Sequence, residues 1–145
     1  MKKLLLLLSC FLAFSLSMNG QKPMTHEIMI KFKKIGAPKI SPDGRHLIYS
    51  RIETSYNLEE QTSDLWIAST DGSTEPRKLT NSKGGEDNYQ CSSASDKIYF
   101  IAKRDGDDVP QLYVLPLAGG EAQRLTTLST GVSDVKFSPD GSKII

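Results

Sequence analysis

Several groups of side chains in this sequence have the types and spacing to do chemistry, and each also has a plain structural use. Asp105-Gly106-Asp107-Asp108 clusters three carboxylates, the donor set a hard cation such as calcium requires. An EF-hand loop counted from Asp105 needs an acid at its twelfth position, where Pro116 stands, so an acidic turn accounts for the run. Glu59-Glu60 carry the charge to meet a basic ligand such as a peptide amine, but solvated loop carboxylates are ordinary. Cys91 reads either as a reactive thiol or as a small buried apolar residue, and its alignment with Ile40 and Phe137 in the internal repeat favours burial. His26 and His46 are far apart, and no Gly-x-Ser-x-Gly elbow accompanies them, so no nucleophile finds a base. Gly84-Gly85 and Gly119-Gly120 lack the strand-to-helix setting of a phosphate loop and read as turns. The sequence therefore assigns no catalytic, metal-ligating or cofactor-binding residue, leaves substrate contacts open and implies no cofactor.

The elements that must hold these side chains repeat. Ser41-Pro42-Asp43-Gly44 returns as Ser138-Pro139-Asp140-Gly141, with a blurred copy from Ser92, at spacings of 51 and 46 residues. Proline presets φ, aspartate bonds the following backbone and glycine accepts positive φ, so the quartet between two apolar runs predicts a hairpin. A second signature moves in step: Asp64-Leu65-Trp66-Ile67 recurs as Gln111-Leu112-Tyr113-Val114, and Arg77-Lys78-Leu79-Thr80 as Gln123-Arg124-Leu125-Thr126. Trp66 and Tyr113 share one strand position and read as packing residues between repeats. His46 opens a strand beside the first hairpin, and Cys91 aligns with Ile40 and Phe137.

Four strand-like runs emerge per unit, at about 38–41, 46–52, 64–70 and 76–80, then 88–92, 97–102, 111–116 and 122–126. Four antiparallel strands repeating at this period predict an all-β fold: a partial β-propeller of two four-stranded blades and the start of a third. A β-sandwich would not need the same turn and the same Leu-Thr ending in successive units. A ring takes at least four blades, so the chain reads as the front of a longer protein.

Ahead of the strands, Lys2-Lys3, the apolar run Leu4 to Leu16 and the small residues Ser15 and Ser17 have the layout of a secretory signal peptide over residues 1–20. The run is too short for a stable membrane span after cleavage, and it continues past Leu7-Leu8-Ser9-Cys10, against a lipid anchor at Cys10. The expected location is periplasmic or secreted. Cys10 leaves with the signal, so Cys91 has no partner for an internal disulfide. Met24 to Ile35 predicts one short helix with Thr25 as cap, Glu27 in its first turn, and Ile28, Phe32 and Ile35 on one face. His26 lies in its first turn as a surface residue. The layout is thus signal peptide 1–20, a helical segment 21–37 and an incomplete propeller 38–145, with blades at about 38–80, 88–127 and 132–145. Eighteen Lys and Arg against seventeen Asp and Glu give a net charge of +1, with no electrostatic reason for a nucleic-acid partner.

Ser-Pro-Asp-Gly, Asp-Leu-Trp-Ile-Ala with Asp-Gly, and Arg-Lys-Leu-Thr together resemble the propeller repeat of the prolyl oligopeptidase family, the TolB-type propellers and the tricorn proteases. The stretch from Met24 to Gly44, a short helix running straight into the first blade, resembles the start of the secreted acylaminoacyl-peptidase and dipeptidyl-peptidase branch of the prolyl oligopeptidase family. That resemblance implies a propeller gating a C-terminal α/β-hydrolase domain, whose Ser, Asp and His act on short peptides. It places no catalytic residue in this chain. The alternative it leaves is a non-catalytic, TolB-like periplasmic propeller that scaffolds protein contacts.

Overall fold

The computed structural model describes residues 23–57, 61–82, 84–138 and 140–145. The expected signal peptide, with Cys10, and the Glu59-Glu60 pair lie outside the described residues.

One helix, α1 (His26–Lys31), precedes the strands. Thr25 caps it with extended backbone and a hydroxyl that accepts from the Ile28 N–H at 3.3 Å, with Glu27 in the first turn and Lys31 in the last. It is shorter than the 24–35 its periodicity predicts. Phe32 is already extended, and β1 begins at Lys34. The reason is burial: α1 has no buried residue, and Phe32 and Ile35 are 56% and 66% exposed. Without tertiary burial a short helix does not propagate, whereas pairing Lys34 with Ile52 and Ile35 with Arg51 satisfies the backbone at once.

The strands form two antiparallel sheets, each in sequence order. The first holds β1 (Lys34–Ile40), β2 (His46–Glu53), β3 (Thr62–Ser69) and β4 (Arg77–Lys78). The second holds β5 (Glu86–Cys91), β6 (Lys97–Ala102), β7 (Gln111–Pro116) and β8 (Gln123–Arg124). A single Phe137–Ile144 bridge starts a third unit. Two four-stranded blades and the beginning of another are thus present, as the repeat predicts.

The repeated sequence signatures turn out to be repeated hydrogen bonds. In the first hairpin Ser41 Oγ donates to Asp43 Oδ1 at 2.5 Å and accepts from the His46 N–H at 2.9 Å. Ser138 does the same with Asp140 and the Lys143 N–H, at 2.5 and 2.9 Å. The blurred copy keeps the arrangement by other means: Ala94 has no carboxylate, so Ser92 Oγ donates to Asp96 instead, at 2.7 Å, and Ser95 takes the left-handed position of Gly44 at φ 58°. The Leu-Thr ending has an equally local cause. Each threonine hydroxyl extends the ladder past the two-residue outer strand, accepting the N–H of Leu65 (Thr80, 2.9 Å) or of Leu112 (Thr126, 3.0 Å).

Strand alternation gives each sheet two faces. Ile48, Leu65 and Ile67 of the first sheet meet Ile98, Phe100, Tyr113 and Leu115 of the second in one apolar cluster. The reverse face of the second sheet, with Ile101 and Leu112, packs on Val135 and Phe137 of the third unit, Tyr99 and Phe137 having ring centroids 4.5 Å apart. The core is therefore a series of seams between sheets, the packing mode of a propeller.

Candidate functional site

The seam between the two sheets gathers the chemistry-bearing side chains, starting with the first strands. β1 and β5 both break register, between Gly36 and Lys39 and between Asp87 and Gln90. Ala37 and Asn88, at matching places in these bulges, have left-handed φ of 44° and 46°. The irregularity is used. Tyr89 Oη reaches across the seam, donating to the carbonyls of Gly36 and Ala37 and accepting from the Ser50 N–H at 3.1 Å. Lys39 Nζ returns the contact to the Tyr89 carbonyl at 2.7 Å, and Asn88 bonds Asp134 of the third unit. Burial raises the Tyr89 pKa, opposed by the Ser50 hydrogen bonds. These groups tie blade to blade and leave no free nucleophile.

The acidic turn is built around one carboxylate. Asp107 accepts from Tyr113 Oη at 2.5 Å, from the Arg104 N–H at 3.1 Å and from the Arg124 guanidinium at 2.7 Å, and its side chain is 1% exposed. The Tyr113 bond, ahead of the Arg104 N–H and Arg124, holds Asp107 below the usual carboxylate range. In return, burial and then the Asp107 acceptor push Tyr113 up to about 12. Asp105 and Asp108 are exposed. The turn is a structural anchor for β7 and β8.

Glu86 opens β5 at the same seam and is buried. Ser82 Oγ donates to its Oε1 at 2.6 Å, while Oε2 has no hydrogen-bond partner among the described residues. Burial raises its pKa, helped by Asp64 and opposed by the Ser82 and Thr80 hydroxyls and by Arg104. Sequence reasoning passed over Glu86, because nothing local distinguishes it from a strand-edge glutamate.

The remaining candidates are separate from one another. Cys91 is half-buried against the first cluster, and burial, with Asp43 adding to it, pushes its thiol up to about 11, so the thiolate is scarce at neutral pH. His26 meets Tyr56 edge-on at 5.6 Å, and His46 begins β2 with its N–H on Ser41. Gly85, Gly119 and Gly120 have positive φ, as turn glycines do. Tyr113 stacks on Phe100 in the seam, as its position predicts. Trp66 differs, lying on the face of the first sheet turned away from the second, with Arg51 4.1 Å over its ring. A groove of about 600 Å³ along the seam is lined by Thr62, Asn81, Lys103, Arg104 and Glu121 among others, with no histidine or cysteine. No helix among the described residues is long and apolar enough to cross a membrane.

Two four-stranded sheets joined face to face, with a third begun, define the opening of a β-propeller. The chain belongs to the family described as the dipeptidyl peptidase IV (DPP IV) N-terminal region, matched over residues 54–145, and is an N-terminal propeller stretch of a prolyl oligopeptidase-family peptidase. It is 30% identical over 126 residues to YuxL, an uncharacterized peptidase of Bacillus subtilis (strain 168), covering 86% of this chain and 19% of that protein. The chain thus spans about a fifth of that relative's length. Among solved structures it resembles the AtxE2 isopeptidase without ligand (TM-score 0.68, 14% identity, 83% of this chain and 23% of that one). It also resembles TolB from Acinetobacter baumannii (TM-score 0.54, 20% identity, 89% and 29%). At such identities these two likenesses concern the fold alone.

Proposed function

We propose that this chain is the opening part of the propeller of an exported serine peptidase that cleaves short peptides. In this reading the propeller gates access to a C-terminal α/β-hydrolase domain that carries the Ser-His-Asp machinery. Membership of the DPP IV N-terminal family is the observation that carries the proposal. The seam supports it by what it contains: Tyr89 and Lys39 are committed to joining blades, Asp107 and Tyr113 to holding the second blade together, and Cys91 is held protonated. A scaffold of this kind positions and filters; it does not attack a peptide bond. Peptide substrates and the hydrolase domain of the same polypeptide are its partners.

Export rests on Lys2-Lys3, the apolar run to Leu16 and the small residues Ser15 and Ser17, which deliver the protein to the periplasm or the exterior. Reading the coding sequence past Ile145 and assaying the intact polypeptide on short peptides tests the proposal. Gly-x-Ser-x-Gly followed by Asp and His, with peptide hydrolysis, is the expected result; a polypeptide without that elbow refutes it. The TolB-like scaffold rests on fold likeness, and a ring that closes and ends without a hydrolase domain would favour it.

A further inference from the structure

An aspartate followed by glycine can be attacked by its own backbone, because glycine has no Cβ to shield the nitrogen beside the carboxyl. The sequence holds four such pairs, Asp43-Gly44, Asp71-Gly72, Asp105-Gly106 and Asp140-Gly141, and all four lie in exposed turns. Three of them are tied at both reacting groups. Asp43 Oδ1 accepts from Ser41 Oγ at 2.5 Å and from the Arg45 N–H at 3.1 Å, and the Gly44 N–H donates to the Ser41 carbonyl at 2.8 Å. Asp140 Oδ1 repeats this with Ser138 Oγ at 2.5 Å and the Ser142 N–H at 3.1 Å, and the Gly141 N–H donates to the Ser138 carbonyl at 2.8 Å. Asp71 accepts from the Ser73 N–H at 2.9 Å, and the Gly72 N–H donates to the Ser69 carbonyl at 3.3 Å.

These bonds, with those from Ser41, Ser73 and Ser138 foremost, hold all three carboxyls below the usual carboxylate range, Asp140 down to about 2. An ionised carboxylate is a poor electrophile, and a nitrogen whose N–H is bonded elsewhere is badly placed to attack it. Asp105-Gly106 differs on both counts. Among the described residues its carboxylate and its glycine N–H make no hydrogen bond or ion pair. The turn is closed one residue further out on each side, where the Arg104 N–H donates to Asp107 Oδ2 at 3.1 Å and the Asp107 N–H to the Arg104 carbonyl at 2.9 Å. Asp105 also lines the groove along the seam, beside Lys103 and Arg104.

We propose that Asp105 is a site of spontaneous isoaspartate modification, and that the three hairpin Asp-Gly pairs are spared it by their tethers. The Gly106 nitrogen bonds to Asp105 Cγ, and the carboxyl hydroxyl leaves with the amide proton as water, closing a succinimide. Water then opens the ring at either carbonyl. One opening restores aspartate and the other leaves the backbone running through the β-carbon as isoaspartate; nothing is oxidised or reduced. The extra main-chain carbon falls inside the turn that the reciprocal Arg104–Asp107 bonds close, so the modified chain loses the geometry that holds Asp107 on Tyr113 and Arg124.

Ageing the intact polypeptide in heavy-oxygen water at mildly acidic pH, then locating isoaspartate and heavy oxygen by peptide mapping with electron-transfer fragmentation, tests this. Asp105 should be modified at least about fivefold faster than Asp43, Asp71 or Asp140, the factor that one net hydrogen bond sets on an opening equilibrium. In concentrated guanidinium, where the turns are gone, the four rates should level. In the fraction carrying isoaspartate, buried Tyr113 should oxidise several-fold faster in hydroxyl-radical footprinting. Aged Asp105→Glu, whose imide ring is larger and closes slowly, should keep Tyr113 at its fresh reactivity. Equal rates at the four sites of the native protein overturn the proposal, and so does an Asp105 that still outpaces the others in guanidinium, which would mark an effect of local sequence and not of the tethers. Isoaspartate at 105 with Tyr113 still protected overturns the loss of the joint.

Discussion

Tyr113 Oη and Asp107 Oδ2 are 2.5 Å apart, joining the loop after β6 to β7, whose Tyr113 shares the apolar cluster between the two blades. The pair turns an acidic loop into a structural joint. Tyr113→Phe keeps the Phe100 stacking and removes the donor, so it should cost about 1 kcal/mol of stability in denaturant titration. It should also raise the Asp107 pKa, since the Tyr113 bond is the largest influence lowering it. Asp107 contributes stability above the ordinary carboxylate pKa that is lost as pH falls through its lowered folded value. The variant should therefore lose that contribution at a higher pH, as carboxyl NMR titration would show; an unmoved Asp107 resonance would refute this role.

Thr80 accepts from the buried Leu65 N–H and is itself 5% exposed. Thr80→Val preserves shape and orphans that N–H, at a cost of about 1–2 kcal/mol. Thr80→Ser should recover most of it. Equal stability of the Val and Ser variants in chemical denaturation would show that volume, not the hydroxyl, matters.

Glu86 has a raised pKa because its carboxylate is buried. A raised folded value means its contribution is fully favourable below the unfolded glutamate pKa and is lost as pH rises through the folded one. The stability of Glu86→Gln relative to the native protein should therefore increase across that window and stay flat below it. Melting temperatures of both proteins at matched pH values measure the difference; a gap independent of pH contradicts the assignment.

Backbone strain predicts two substitutions of opposite sign. Ala37 is an exposed alanine at φ 44°, so Ala37→Gly should stabilise by about 0.5–1 kcal/mol. Gly44 has φ 73° with open space around it, so Gly44→Ala should lose about 1 kcal/mol through conformation alone. Destabilisation by Ala37→Gly would place the bulge under some other control.

The elements legible in the sequence are those whose cause is local. Ser-Pro-Asp-Gly announces its hairpin because the bonds that close it, among Ser41, Asp43, Gly44, Arg45 and His46, lie within five residues, and Leu-Thr announces the outer edge of a blade because threonine completes the ladder there. The end of α1 was not legible, since it depends on whether Phe32 and Ile35 find anything to cover them. Nor was the Asp107–Tyr113–Arg124 joint, which assembles from a loop and two strands, or the seam position of Glu86. Trp66 and Tyr113 do share a position, but only the direction in which the blades succeed one another shows that Tyr113 meets the first blade and Trp66 faces away from the second.

The central claim is that these blades belong to a serine peptidase whose chemistry lies beyond them. Labelling the intact, exported polypeptide with a fluorophosphonate and mapping the modified peptide tests it most directly. The account predicts one labelled serine, in a Gly-x-Ser-x-Gly elbow C-terminal to Ile145, with loss of peptide hydrolysis in step with labelling. A polypeptide that takes up no label and cleaves no peptide, or one labelled at a serine within residues 23–145, would contradict it.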